Sequence, residues 1–224
     1  MKLTTTFSLL LATGLLAACA TGSKMPMVTE DGLEKIEVKN IDTVYWKPGA
    51  ELADYSSVLI EKPEVSFRKN WLRDQNRNRV SLASRVTEED VQRISSELAD
   101  AFVERFTQQL ESGGYSVVSS AGPGVLVLQP EIVNLDVAAP DVSMREPGIT
   151  RTFTVDTTGE MTLEMDMLDG ASSDVIGRAI DRSEARNPSV LQTTNSVTNR
   201  ADGNMILDRW ARALVDAMNT AHGG

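Results

Sequence analysis

The chain has 224 residues, a formal net charge of −10 and 41% hydrophobic residues, which is enough for one domain with its own core. An acidic balance of this size argues against nucleic-acid binding, because that binding needs clustered positive charge. One cysteine and one histidine leave no intramolecular disulfide and no Cys/His metal cluster, so we expect neither a metal nor a cofactor.

The amino terminus has the pattern of a secretory signal. Lys2 precedes a short apolar stretch, and small residues then lead to Cys19, which is the order of regions in a signal peptide. The apolar stretch is too short to span a bilayer. Residues 16–19, Leu-Ala-Ala-Cys, resemble the lipobox of bacterial lipoproteins. The resemblance implies that residues 1–18 are cleaved and that Cys19 receives diacylglycerol; the alternative is an ordinary signal peptide with an incidental thiol.

The same resemblance predicts a compartment. Several acyl chains give stable anchoring, and a mature bacterial lipoprotein carries three. Ala20 stands where an Asp retains enterobacterial lipoproteins in the inner membrane, so we expect the outer membrane with the domain facing the periplasm. We expect residues 19–50 to be the lipidated terminus and a tether, with Thr43–Trp46 docking onto the domain, because the small polar residues after Cys19 bury little surface. Residues 51–224 are expected to form a single periplasmic domain.

The first half of that domain predicts one strand and one long helix. The strand covers Tyr55–Phe67 and is interrupted by Pro63, as at a sheet edge or bulge. A loop, Ser66–Val86, follows. The helix begins after Thr87, which caps it together with Asp90, and its apolar residues recur at spacings of three and four: Val91, Ile94, Leu98, Phe102, Phe106 and Leu110. Gly113-Gly114 ends it.

The second half predicts strands and a closing helix. The expected strands are Tyr115–Ser119, Val125–Ala138, Arg151–Leu168 and Val175–Arg182, and the last helix runs from about Arg200 to Ala221 after a polar loop, Asn187–Asn204. Strict alternation before Leu168 indicates a half-buried antiparallel strand. The order β-α-β-β-β-β-α predicts an α+β fold, a mostly antiparallel sheet with two amphipathic helices packed on one face.

The hairpin between the last two strands predicts a register. With Met167 opposite Val175, Glu164 faces Arg178 and Glu160 faces Arg182. Opposite charges across a strand pair contribute about 0.2–1 kcal/mol each. The same strand carries a methionine stripe, Met161, Met165 and Met167, which is expected to be core, although flexible Met surfaces also bind apolar ligands.

Several motifs resemble a known family of proteobacterial lipoproteins. They are Tyr45–Ala50, Tyr55–Ile60, Val65–Phe67, Gly122–Leu126 and Trp210-Ala211 in the closing helix. The family is catalogued only as the domain of unknown function DUF3313. The resemblance spans nearly the whole mature chain, and its motifs are structural. It implies no activity and no catalytic residue.

The residues themselves also argue against an enzyme. His222 lies in the last three residues, which is a poor position for a general base, and lipidation removes Cys19 as a nucleophile. Carboxylates remain, as in a glycosidase: Asp136, Asp141, Glu160, Glu164 and Asp166. Their simpler interpretation is a solvated strand face that Arg178 and Arg182 partly neutralise. We therefore expect no catalytic residues, with a carboxylate-based hydrolase as the remote alternative.

One basic segment departs from the acidic whole. Between residues 66 and 86 the only acid is Asp74, and the candidate partner-binding residues are Arg68, Lys69, Trp71, Arg73, Arg77 and Arg79. A basic loop with an exposed aromatic binds anionic glycan, lipid headgroups or an acidic protein surface. The alternative is that the arginines pair with acids of the domain and that Trp71 packs into its core.

These observations favour a membrane-anchored periplasmic lipoprotein that acts as a binding or accessory module of the cell envelope. The expected partners are the membrane, through Cys19, and another envelope protein. The alternative is a carrier of a lipid or glycan, which needs a deep apolar pocket between sheet and helices. A binding module instead needs a filled core and an exposed patch.

Overall fold

The computed structural model describes residues 25–77, 79, 85–138, 140, 153–155, 159–185, 192–194 and 196–223. Its helices are α1 (Trp71–Asn76), α2 (Glu88–Ser112) and α3 (Ser196–Ala221). Its strands are β1 (Glu34–Ile36), β2 (Thr43–Trp46), β3 (Ser57–Ile60), β4 (Glu64–Phe67), β5 (Ser116–Val118), β6 (Val125–Val137), β7 (Phe153–Val155), β8 (Gly159–Asp169), β9 (Val175–Ala185) and β10 (Gln192–Thr194).

The strands confirm the expected α+β class. One eight-stranded sheet has the order β1-β2-β9-β8-β6-β3-β5, with β4 also on β6. The run from β1 to β6 is antiparallel, whereas β3, β4 and β5 join in parallel at the other side. The strands β7 and β10 form a separate pair. The central strand β6 lies where a strand was expected, whereas the expected strand Arg151–Leu168 was too long: its first part contains β7 of the separate pair, and β8 begins at Gly159.

Helices α2 and α3 lie side by side in the same direction against the sheet. Arg105 lies 3.7 Å from Asp208, and further along both helices Tyr115 donates a hydrogen bond of 2.9 Å to Asn219. The core between helices and sheet contains fully buried side chains from each layer: Phe102, Phe106, Leu110, Leu126, Leu128, Ile132, Leu163, Leu207, Trp210 and Met218. Burying this apolar surface is the main favourable contribution to folding.

The start of α2 confirms the predicted cap. The Asp90 backbone N–H donates to the Thr87 hydroxyl, and the Thr87 N–H donates to the Asp90 carboxylate at 2.9 Å. This reciprocal pair satisfies two of the donors that a helix start leaves unpaired. The helix ends at Ser112, one residue before Gly113.

Two expectations about the segment before α2 were wrong. The single strand from Tyr55 to Phe67 is divided into β3 and β4, because Pro63 has no N–H to donate to the ladder. The loop Ser66–Val86 contains the short helix α1.

Helix α3 also begins earlier than expected, at Ser196.

The second part of the expected tether 19–50 joins the main sheet, and it includes Thr43–Trp46, which was expected to dock onto the domain. Residues of β1 and β2 belong to the main sheet, and β2 pairs with β9. Leu33 and Tyr45 are 1% and 2% exposed, so this stretch buries enough apolar surface to offset its ordering entropy. The sheet therefore begins well before residue 51, and the lipobox and residues 1–24 lie outside the described residues.

The predicted hairpin register was also wrong. Met167 lies opposite Gly177, while Leu168 lies opposite Val175, so a bulge shifts the later pairs. Arg178 therefore faces Asp166 rather than Glu164, and Arg182 lies opposite Thr162. A bulge places an extra residue on one strand, and the alternation pattern of β8 gave no sign of it.

Candidate functional site

A groove opens at one end of the layer between α2, α3 and the sheet. Its volume is about 250 Å³. The floor is apolar and comes from α2, the end of β6 and the start of β8: Ile94, Leu98, Ala101, Leu135, Val137 and Met161. The α3 wall consists of small and polar residues, among them Asn199, Gly203 and Asn204. The groove is thus an apolar surface that the first turns of α3 leave partly uncovered.

The sequences of the two helices explain why the groove forms there. Ile94 and Leu98 continue the apolar face of α2, and both are only partly buried. The α3 residues that line the groove are polar or small, and Ile206 is the first buried apolar side chain among those described in α3. A Cβ built on Gly203 meets no atom within 4 Å. The late start of apolar residues in α3 is a signal that the sequence analysis could have used to find the groove.

Charges of both signs form the rim of the groove. Arg93 hydrogen-bonds Glu97 at 3.1 Å, and Arg200 lies 3.8 Å from the same carboxylate. Asp136 and Glu160, which lie opposite each other on β6 and β8, also line the groove. An apolar floor with a polar, solvent-accessible rim is the usual arrangement of a protein–protein interface.

The basic segment borders the groove through Asp136 and Val137. Arg68 donates hydrogen bonds to Asp136 at 2.5 Å and to Asp74 at 2.9 Å, and the bond to Asp136 is the largest cause of a raised Arg68 pKa. The Trp71 indole N–H donates to the Val137 carbonyl at 3.2 Å. The segment and the groove therefore share one end of the molecule.

The structure brings three of the candidate arginines together around one acid. Arg73 and Arg77 each lie 3.3 Å from Asp74, which also binds Arg68. Their side chains are 66% and 68% exposed, so these surface pairs contribute little to stability. Lys69 is also exposed. Lys69, Arg73 and Arg77 thus remain exposed in the basic segment, although both arginines have an acidic partner.

Two candidates of the basic segment, Trp71 and Arg79, pack against the domain itself. Trp71 is 1% exposed and packs with Val86, and its ring lies 4.2 Å from that of Phe67. Of the two positions that the sequence left open for Trp71, the structure has the one in the core. Arg79 donates to the Gln75 carbonyl at 2.9 Å, which holds it against α1.

Three of the five candidate carboxylates are paired with arginines, and Glu164 is exposed on β8 opposite Ile180. Arg178 donates to Asp166 at 2.6 Å and Arg182 donates to Glu160 at 2.6 Å, in addition to the Arg68–Asp136 pair. Asp141 and Cys19 lie outside the described residues. Among the residues that the structure describes, no group of three or more His, Cys, Asp or Glu could hold a metal ion.

The remaining candidates lie away from the groove or below it. Met165 and Met167 are 5% and 4% exposed within the core, and Met161, 2% exposed, reaches the groove floor. The stripe is therefore core, as expected. The His222 Nδ1 lies 2.8 Å from the Met218 carbonyl, and its ring is 5.8 Å from that of Tyr115. It packs against its own helix rather than fraying.

A buried carboxylate that the sequence analysis missed joins α3 to the sheet. Asp181 on β9 is 3% exposed. It accepts hydrogen bonds from Trp210 at 2.7 Å and Arg209 at 2.6 Å, and from the Asp42 N–H at 3.0 Å. Buried charges are kept only with such partners. This network fixes α3 to β9 beyond the groove.

Comparisons with known proteins give a family and a distant resemblance in fold. The profile of the family described as "Protein of unknown function (DUF3313)" matches residues 27–214. No curated protein matches the chain. The similar solved structures include PelC dodecamers from Paraburkholderia phytofirmans, one of them a point variant. They share 11% and 12% identity and a TM-score of 0.34, and cover 75% of this chain and 95% and 96% of theirs. Among the described residues, no helix combines the length and apolar character needed to cross a bilayer.

Proposed function

We propose that this chain, which belongs to the DUF3313 family of proteins of unknown function, is a membrane-anchored periplasmic binding module of the bacterial cell envelope. Lipidated Cys19 is the anchor, and the outer membrane is the membrane that holds it. The partner is another envelope protein. The module has no catalytic role in this proposal, because Asp136, Glu160 and Asp166 each lie in an ion pair with an arginine.

The groove is the observation that carries the proposal. Beyond it the core is filled, with Phe106, Leu110 and Met218 fully buried. The groove exposes an apolar floor under a charged rim. Interfaces concentrate their binding energy in a few apolar anchors that enter such pockets, and the polar surroundings exclude water.

The size of the groove supports a protein partner over a carried lipid. Its volume of about 250 Å³ is below the roughly 300–1,000 Å³ of pockets that enclose a drug-sized ligand. It accommodates one or two large side chains of a partner, whereas a carrier must enclose most of its ligand. The carrier of a lipid or glycan is therefore the second candidate, supported only by the apolar floor.

The neighbouring charges specify the partner further. Lys69, Arg73 and Arg77 are exposed. They belong to the basic segment, which Arg68 and Trp71 join to the groove by hydrogen bonds. We therefore expect an apolar anchor flanked by acidic side chains. Such complementary charges mainly raise the association rate and the specificity of binding.

The anchor is tested by changing the lipobox cysteine. Cells carrying Cys19→Ser should release the protein from the membrane fraction, because the variant has no thiol to lipidate. The wild-type chain should stay with outer-membrane fractions and incorporate labelled palmitate. A wild-type protein that is soluble in the periplasm contradicts the anchor.

The groove is tested by photo-crosslinking in cells. A photoreactive residue replaces Asn204, which lines the groove, or Gln108, which lies exposed on the outer face of α2. We expect one envelope protein to be captured at position 204 and not at position 108. Ala101→Phe, which places a ring over the floor, should abolish the capture in the same cells.

The adducts also separate the two candidate functions. A lipid adduct at position 204 without a protein adduct favours the carrier and contradicts the binding module. Identical adducts at positions 204 and 108, or capture that Ala101→Phe leaves unchanged, contradict a role for the groove.

A further inference from the structure

The exposed apolar side chains of this protein are concentrated near its amino terminus. Among the described residues, the large hydrophobic side chains with high exposure are Met25 (45%), Met27 (71%), Val28 (54%), Ile36 (40%) and Met205 (61%). All but Met205 lie within twelve positions of one another, at and before β1. We call Met25, Met27, Val28 and Ile36 the apolar edge.

The apolar edge is held in place by the sheet. The Lys35 N–H donates to the Met27 carbonyl at 2.8 Å, and Val28 forms a bridge with Glu34. The Tyr45 hydroxyl donates to the Pro26 carbonyl at 3.0 Å. Residues 26–28 thus lie along β1, the outermost strand at this side of the sheet. Their exposure is a property of the folded domain.

The chain is too short to hold this edge far from a lipid on Cys19. Six residue steps separate Cys19 from Met25, and an extended chain covers at most about 3.3–3.6 Å per residue, or roughly 20 Å in all. The headgroup region on each side of the hydrocarbon core takes up several of these ångströms. An anchored protein therefore keeps the apolar edge near the bilayer surface.

The charge around the apolar edge argues against an electrostatic attraction between this edge and anionic lipid. Residues 25–40 contain four acids, Glu30, Asp31, Glu34 and Glu37, against Lys35 and Lys39. A polybasic surface is needed for attraction to anionic lipid. Contact here would come from burial of apolar side chains in the interface, as for other interfacial segments.

We propose that the apolar edge rests in the interface of the bilayer that anchors the chain, and that it orients the domain on the membrane. This inference rests on the proposed lipid anchor at Cys19. The contact presents the edge of the sheet at β1 to the membrane. It gives the domain a defined orientation, which a lipid on Cys19 alone does not impose.

The test uses two native methionines of similar exposure. Hydrogen peroxide oxidises an exposed Met thioether to the sulfoxide, and mass spectrometry gives the rate at each position. The lipidated protein is placed in phosphatidylcholine vesicles and separated by flotation. The unlipidated control is the Cys19→Ser chain, released by a conventional signal sequence. Met205 serves as the internal reference in both samples.

We expect Met27 and Met205 to react at similar rates in the unlipidated chain. In vesicles, Met27 should react at least about fivefold more slowly relative to Met205, and the protection should persist at high salt because apolar contact is not screened. A ratio that is the same in both samples contradicts the inference. Protection of Met27 in the unlipidated chain also contradicts it, since another copy or another surface would then cover the edge.

A separate result marks failure of the proposed function. If the wild-type protein does not float with the vesicles, the anchor itself is absent, and the membrane contact fails with it. Flotation together with an unprotected Met27 overturns only the orientation on the membrane.

Discussion

The two ends of the α2–α3 pair differ although the same helices and the same sheet form both. At the later end Phe106, Leu110 and Met218 are fully buried, and Gly113 lies so close to Val215 that a Cβ would come within 2.6 Å of it. At the earlier end Leu98 is only partly buried, and the groove opens beside Gly203. At the filled end both helices supply apolar side chains that close the core. At the open end the apolar face of α2 lies beside small and polar residues of α3.

The largest expected effect is the difference in unfolding free energy between a substitution at the filled end and one at the open end. Phe106→Ala at the filled end should lower the free energy of unfolding by about 3–5 kcal/mol, because it leaves a cavity in a closed core. Leu98→Ala at the groove should cost about 1 kcal/mol, because its side chain is already partly in water. Urea denaturation measures both. Equal costs would mean that the groove is closed in solution.

A second large effect concerns the carboxylate that fixes α3 at the filled end. Asp181→Ala should cost about 2–4 kcal/mol, because it leaves the buried Trp210 indole N–H without its acceptor and removes the carboxylate partner of Arg209. Asp166→Ala is the matched control, since its pair with Arg178 is about a third exposed and should contribute less than about 1 kcal/mol. Thermal unfolding of both variants provides the comparison.

The stability of the protein should fall at alkaline pH because of Tyr55, which is buried in the core. Burial, and then the hydrogen bond to Asp169, raise the pKa of Tyr55 from its usual value near 10 to about 12. The folded state therefore holds the phenol proton more tightly. This contribution is complete below about pH 10 and is lost between about pH 10 and pH 12, by about 2–3 kcal/mol in all.

Tyr55→Phe tests that dependence. The variant should lose about 1 kcal/mol at neutral pH with the hydrogen bond, and its stability should fall less steeply than that of the wild type above pH 10. Parallel urea titrations at pH 8 and pH 11 measure the difference. A wild type and a variant with identical slopes would contradict the raised pKa.

The smallest expected effect is a gain at the open end. Gly203 lies inside α3 with no atom near an added Cβ, so Gly203→Ala should raise the free energy of unfolding by about 0.5–1 kcal/mol through helix propensity. Differential scanning calorimetry measures the shift. A loss of stability would show that the space beside Gly203 is occupied in solution.

The sequence predicted the elements whose patterns are local and long. The spacing of Phe102, Phe106 and Leu110 gave α2, and the alternation around Met165 gave β8, because each pattern repeats over several turns or residue pairs. The capping box at Thr87 was also visible. The α+β class followed from the order of these elements.

What the sequence could not give depends on contacts between distant segments. The bulge beside Met167 shifts the register through the partner strand β9, and β1 and β2 are short strands whose burial comes from the sheet they join. The sequence left open whether Trp71 is exposed or buried, because the local sequence is the same in both cases. Predicting where the groove lies would have required the knowledge that α2 and α3 lie side by side in the same direction.

The central claim, that the groove binds an envelope protein, is tested most directly by the affinity for the partner captured at position 204. Ala101→Phe should weaken that binding at least about tenfold, or about 1.4 kcal/mol, while Gln108→Phe on the outer face of the same helix should leave it unchanged. Isothermal titration calorimetry with wild type and both variants, each first checked for native stability, gives the answer. Equal affinities for the three proteins would contradict the claim.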